Sequence, residues 1–403
     1  MTRIQEFDGL RTFAVLVVIA DHYAPLRNFA DSAPARLGGF GVDLFFVLSG
    51  YLITTILLGL RTTDRPYQVF YVRRFLRILP PYFLLLVLVY GLAAVLREPI
   101  ASSKVAGQIL FLRSFKDSGA VLERLWFVFS GATPVPGLFH TLVSGPVPRD
   151  YPWLPITGSL GPTWSLSVEE WFYLLWAPVV LLFSRRTILR IAGCVCVMGF
   201  LLRWLGAGGT DFLSSVDILI TGAVLALWVE RRATLPGNLQ RRYDYAIGIS
   251  GIASLIVFVV LTSVHRDLIS RTLIEVFVFA ALAWIIQNAG RSHPICSSLR
   301  WKPIVYVGTI SYMVYLIHLP MYFIVRSAVY RITAGLSDIS RMWVVCLCSV
   351  AATIAFSALS WKYFEHPILR FKDILTEGAS SAKRSPLPGT APACGPLGTP
   401  LPE

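Results

Sequence analysis

Phe40-Gly-Val-Asp43-Leu-Phe-Phe-Val-Leu-Ser-Gly50-Tyr-Leu-Ile-Thr-Thr-Ile-Leu-Leu-Gly-Leu60 carries one charged side chain, Asp43, and stops at Arg61. A helix of this length rises about 30 Å, the thickness of a bilayer's hydrocarbon core, so the run reads as a transmembrane span. The same grammar repeats outward from it. Apolar runs of about 18 to 22 residues alternate with arginine-rich joints, which places spans at about 10–24, 40–60, 79–96, 163–183, 188–205, 211–229, 245–264, 272–289, 304–328 and 341–361. The expected fold is all-α, a polytopic membrane helical bundle of about ten transmembrane helices. Composition agrees: 55% of the 403 residues are hydrophobic and 15% charged, against about 25% charged in soluble domains.

The joints also set direction. With a cytoplasmic N-terminus, the inner segments collect 22 of the 36 Lys and Arg residues, and both ends face the cytoplasm. Anchoring of this kind accounts for most of the formal charge of +13, so no nucleic-acid partner is expected. The first span lacks an A-x-A cleavage site and reads as a retained helix. Segment 97–160 is ambiguous, because its apolar patches Ile109 to Phe115 and Leu125 to Phe129 are too short to span. We divide the chain into a membrane-embedded unit, 1–370, and a disordered cytoplasmic tail, 371–403, which turns to Ser, Pro, Gly and Ala after Glu377. The six cysteines form no C-x-x-C pair, so neither a metal site nor a disulfide framework is expected. A G-x-S-x-G elbow, a phosphate-binding P-loop and an H-E-x-x-H helix are likewise missing from the sequence.

Charged side chains inside spans cost about 2.5–3.5 kcal/mol each on insertion scales, so each needs a partner or a function. Arg11 and His22 are eleven residues apart in the first span, about 1100° of helical rotation. They share a face at a separation of about 16 Å. Asp43 begins the second span at about the depth of His22. Glu169 and Glu170 open a later inward-running span in Trp164-Ser-Leu-Ser-Val-Glu169-Glu-Trp-Phe-Tyr173, and His318 lies past the midpoint of the ninth span in Ser311-Tyr-Met-Val-Tyr-Leu-Ile-His318. Two histidines and two or three carboxylates therefore converge on the outer half of the membrane. Imidazole can take a proton from an attacking hydroxyl, and a carboxylate on its other nitrogen would fix its tautomer. Interhelical glue is the competing reading.

A second constellation, Phe70-Tyr-Val-Arg73-Arg74-Phe-Leu-Arg77-Ile-Leu-Pro80, sits just inside the third span. Arg73 and Arg77 at i, i+4, with Arg74 between them, form a compact basic face suited to phosphate, or to ordinary anchoring. Asp217 and Glu275 are further intramembrane acids that pairing between helices would explain. The outer aromatics Trp126, Tyr151, Trp153 and Trp164 fit either sugar stacking or an interfacial belt.

These residues resemble the acyltransferase-3 family of membrane acyltransferases over about 4–370. The likeness rests on Phe7-Asp-Gly-Leu-Arg11 with its Arg-x10-His interval to His22, on Gly39-Phe-Gly-Val-Asp43 through Tyr51, on Tyr71 to Pro80, on Trp164 to Tyr173 and on Ser311 to His318. Two positions depart from the pattern: Thr12 stands where many relatives have glycine, and Ser215 where an arginine is expected before Asp217. The resemblance implies an O-acyltransferase of a bacterial inner membrane, with acyl-CoA, usually acetyl-CoA, as donor substrate. A hydroxyl of a carbohydrate or glycolipid would be the acceptor. It makes Arg11 and His22 a signature pair, with His22 as general base and Glu169 or Asp43 as its orienting carboxylate. His318 would be an acceptor-side or oxyanion-stabilising group, and Arg73, Arg74 and Arg77 would hold donor phosphates. Two other readings stay open: acylation of a cytosolic small molecule such as a macrolide, and transport or flipping of a glycosylated lipid.

Overall fold

A computed structural model describes residues 4–23, 39–100, 102–115, 156–204, 212–262, 267–333 and 335–380, and among them it is predominantly helical, without strands. The helices in chain order are α1 (Gln5–His22), α2 (Phe40–Leu60), α3 (Pro66–Val95), α4 (Ser102–Ile109), α5 (Thr163–Leu182), α6 (Arg185–Trp204), α7 (Val216–Arg232), α8 (Gly237–Thr262), α9 (Asp267–Asn288), α10 (Pro294–Leu299), α11 (Lys302–Ile332), α12 (Asp338–Ser360) and α13 (His366–Ser380). Each of the ten expected spans coincides with one of these. By length and composition, seven stretches of the described residues are apolar enough to cross a membrane: Phe40–Leu60, Pro66–Val95, Ile156–Leu182, Gly237–Val260, Arg271–Asn288, Lys302–Ile332 and Asp338–Lys372. Helices α1, α6 and α7 fall outside that set. α1 has Glu6, Asp8 and Arg11 near its start, α6 has three arginines in its first turns, and α7 has 17 residues.

One feature differs from expectation. The third span does not begin after the arginine cluster: α3 is one helix from Pro66 to Val95, with Arg73, Arg74 and Arg77 inside it. Helix α13 runs to Ser380 after a π-helical turn, Trp361–Glu365, that joins it to α12. The ambiguous segment contributes α4 and 3₁₀ turns at Arg113–Phe115 and Ile156–Leu160. Trp126, Tyr151 and Trp153 lie outside the described residues.

Helix α2 runs through the centre, against α1, α5, α7 and α9. At its crossing with α7 the backbones nearly touch: a Cβ on Gly50 would collide with the Leu219 carbonyl, and one on Gly222 with the Val47 carbonyl. Glycine allows this approach, and dispersion between the backbones replaces the hydrophobic drive that lipid does not supply. Helices α1 and α11 interlock the same way, with Gly308 against the Asp8 carbonyl and the Thr12 hydroxyl donating to the Ile304 carbonyl at 2.5 Å. This fixes the rotation of α1, and with it the direction in which Arg11 and His22 point.

Candidate active site

Helix α1 is continuous from Gln5 to His22, so the eleven-residue interval between Arg11 and His22 holds as helical geometry. Its two ends lie in different surroundings. Near its start, a cavity of about 580 Å³ is lined by Asp8 and by five cations: Arg11, Arg73, Arg74, Arg77 and Lys372. The arginines of α3 face across it to Arg11, whose guanidinium donates to Asp8 at 2.7 Å. Arg11, Arg74 and Arg77 also line a second, smaller cavity of about 100 Å³ farther into the bundle. The two spaces therefore share a cationic wall.

The inner cavity sets a few polar groups among apolar ones. Glu169 stands in it with one carboxylate oxygen accepting from Ser49 at 2.9 Å and the other from Tyr173 at 3.0 Å, and the Arg74 guanidinium lies over the Tyr173 ring. Tyr315 caps the far side. Its hydroxyl meets Ser165 at 2.6 Å and donates to the Pro162 carbonyl at 3.0 Å. Tyr312 donates to the Ile78 carbonyl at 3.1 Å, which ties α11 to α3 beside the arginines.

Tyr315 leads to the histidines. Its carbonyl is 2.6 Å from Nδ1 of His318, a fully buried residue, and the His318 ring meets that of His22 edge to face with centroids 5.1 Å apart. Nδ1 of His22 is 2.8 Å from the Val18 carbonyl. Carbonyls only accept, so both contacts assign the proton to Nδ1, leaving Nε2 of each neutral ring with a lone pair. Nε2 of His318 is buried and has no hydrogen-bond partner among the described residues. The next residue of the chain locks this corner. Tyr23 donates to the His318 carbonyl at 2.7 Å, lies 3.2 Å from the Thr353 hydroxyl and stacks on Tyr322.

The geometry thus unites the two histidines, and separately the four arginines, but it distributes the carboxylates differently from expectation. Asp43 does not orient His22: it accepts from Arg271 of α9 at 3.0 Å, in a buried group with Asp217 and Glu275. The reason is rotation. Val42, Phe45, Phe46 and Ser49 form the stripe of α2 that faces the inner cavity, and Asp43 lies about 100° round from Val42. Glu169 does not touch His22 either, since Ser49 and Tyr173 hold it beside the arginines. With Nδ1 of His318 held by the Tyr315 carbonyl, Nε2 is the ring atom left to meet a ligand. Sequence reasoning missed Ser49, Ser165, Tyr173, Tyr312 and Tyr315. All five lie in the quoted motifs, and the i, i+4 spacing of Tyr173 from Glu169 and the i, i−3 spacing of Tyr315 from His318 were the available signals.

Comparison with known proteins adds to this geometry. The family model described as an acyltransferase domain matches residues 4–361. The chain is 29% identical over 386 residues to the peptidoglycan O-acetyltransferase OatA of Listeria monocytogenes, covering 91% of this chain and 56% of that protein. It is 30% identical over 399 residues to the putative peptidoglycan O-acetyltransferase YrhL of Bacillus subtilis, covering 91% and 55%. Against the O-acetyltransferase OatA of Staphylococcus aureus the identity is 25% over 385 residues, covering 90% and 56%. The chain spans about half the length of these relatives. No solved structure matches it at a significant level.

Proposed function

The chain belongs to the acyltransferase-3 family, and from that premise we propose that it is a membrane O-acyltransferase moving an acetyl group from acyl-CoA to a hydroxyl of a cell-surface carbohydrate. One observation carries the reading. A cationic vestibule shares Arg11, Arg74 and Arg77 with a narrower cavity, and Tyr315, which lines that cavity, contacts His318 beside His22 at the other end of α1. A donor with phosphates at one end and a thioester at the other has this same order of chemistry. Guanidinium groups of Arg11, Arg73, Arg74 and Arg77 hold the phosphates by charge-assisted hydrogen bonds. The pantetheine arm lies in the inner cavity among Ser49, Tyr173, Tyr312 and Tyr315, and its thioester points toward His22.

At that end the acceptor hydroxyl loses its proton to Nε2 of His22 as its oxygen attacks the thioester carbon. The carbon–sulfur bond breaks, the new ester forms, and the imidazolium returns the proton to the departing thiolate, giving free CoA thiol. The Val18 carbonyl keeps the His22 ring in the tautomer that exposes Nε2. Nε2 of His318 accepts from the acceptor hydroxyl or from the His22 imidazolium, which orients the proton in flight. Glu169 offsets the positive charge of Arg11 and Arg74 in the narrow cavity. The relatives named for peptidoglycan indicate a wall-type polysaccharide as acceptor class. With the vestibule at the end of α1 that shares the Lys- and Arg-rich joints, the donor enters from the cytoplasm, both termini lie on that side of a bacterial inner membrane, and the histidines lie toward the opposite face.

The experiment is thiol release from acetyl-CoA by protein in lipid vesicles supplied with a cell-wall glycan. Release with ester formation on the glycan, lost in His22→Ala, is expected. Wild-type protein that transfers no acetyl group to any glycan offered would overturn the reading.

A further inference from the structure

With the phosphates at the shared arginines and the arm inside, the remaining end of the donor must lie in the outer part of the vestibule. The lining there includes Trp361, Leu369 and Lys372, which the proposed chemistry does not use. Trp361 begins the π-helical turn that departs from α-helical geometry between α12 and α13, and such turns are frequent at functional sites. The turn is held in place. Buried Glu365 accepts from Ser360 at 3.0 Å, and its charge acts on Arg77 across the helix interface. Of the three aromatic residues lining the vestibule, Phe7 and Phe70 are 4% and 1% exposed, whereas Trp361 is half-buried, packed in part against the core beside α1 and with its ring centroid 5.8 Å from that of His366. An indole partly open to a cation-lined cavity has the chemistry of a stacking platform for a nucleobase.

We propose that Trp361 is the seat of the donor's purine ring, and that the π-turn exists to aim it into the vestibule beside the phosphate-binding arginines. This assignment rests on the acyl-CoA reading above and adds the part of the ligand that the arginines cannot distinguish. The vestibule, about 580 Å³, is the larger of the two spaces, and Trp361 lines it and not the inner cavity. Arginines recognise any phosphate. Trp361 would make the site select a nucleotide thioester over a simple phosphopantetheine.

The test is calorimetric titration of the protein in lipid nanodiscs with two probes, coenzyme A and 4′-phosphopantetheine, which lacks the adenosine 3′,5′-bisphosphate part. Trp361→Leu, which keeps apolar bulk but removes the ring, is expected to weaken coenzyme A about tenfold, the size of one base–aromatic stack, and to leave 4′-phosphopantetheine unchanged. Trp361→Phe should recover most of the loss. Arg77→Ala should weaken both probes. Equal loss of both probes in Trp361→Leu, or no loss of either, overturns the platform while the Arg77 result still reports on the donor reading. Wild-type protein that binds neither probe overturns both.

Discussion

The two ends of α1 solve opposite problems. Around Arg11, five cations and one carboxylate surround a cavity of about 580 Å³, a wide space whose contents are charged. Around His22 lie the His318 ring and the Val18 carbonyl, with Tyr23 and Tyr322 stacked behind His318, and no ion pair to either histidine occurs among the described residues. Charge supplies affinity for a polyanion and is felt equally before and during reaction, whereas a positioned lone pair matters mainly while a proton moves. The separation teaches that binding and chemistry can be damaged independently. Each prediction below tries to break one end without the other.

The largest effect is expected at the histidine end. His22→Ala should lower turnover by about 10²- to 10⁴-fold, the usual worth of a general base, read as initial rate of thiol release. Next comes Asp43, which the sequence placed with His22 and the structure gives to Arg271. Asp43→Ala removes one of three carboxylates around a largely buried guanidinium and should cost about 1.5–3 kcal/mol of stability, read by thermal or denaturant unfolding in lipid, while the folded fraction keeps wild-type turnover. A folded Asp43→Ala protein without activity would return Asp43 to the histidine centre. Smaller again is the vestibule. Arg73→Ala with Arg77→Ala should weaken donor binding about 10- to 100-fold and leave turnover at saturating donor nearly unchanged, measured as a KM against kcat split.

The smallest effect lies outside the membrane, at the joint that presents α1. Burial pushes the Glu6 carboxyl up, but the Gly290 N–H at 2.9 Å and the Arg300 guanidinium at 2.8 Å outweigh it and hold the group below the usual carboxylate range. A carboxyl lowered in the folded state stabilises above its unfolded value, and that contribution disappears as pH falls through the folded value. Glu6→Gln should therefore lie about 1 kcal/mol below wild type at pH 7, with the gap closing in acid, as followed by Tm against pH.

What could be read from the sequence follows from what helical periodicity encodes. Apolar run lengths revealed where helices stand, and the interval from Arg11 to His22 placed both on one face, because spacing along one helix is local information. The pairing of His22 with His318 was legible from depth alone. Depth failed for Asp43 and Glu169, since residues at one level can face different neighbours: Asp43 looks toward α9, and Glu169 toward Ser49 and Tyr173. The Arg271 partnership links residues 228 positions apart, and no local pattern announces it. The π-turn at Trp361–Glu365 was invisible for a related reason, because its helix-forming sequence reads like the helices it joins.

The central claim, that affinity lives at Arg11's end of α1 and chemistry at His22's end, is tested most directly by titrating acetyl-CoA into His22→Ala protein in nanodiscs. The account predicts wild-type affinity within about twofold in a variant that no longer releases thiol. Loss of donor binding together with turnover in a folded His22→Ala protein would contradict it.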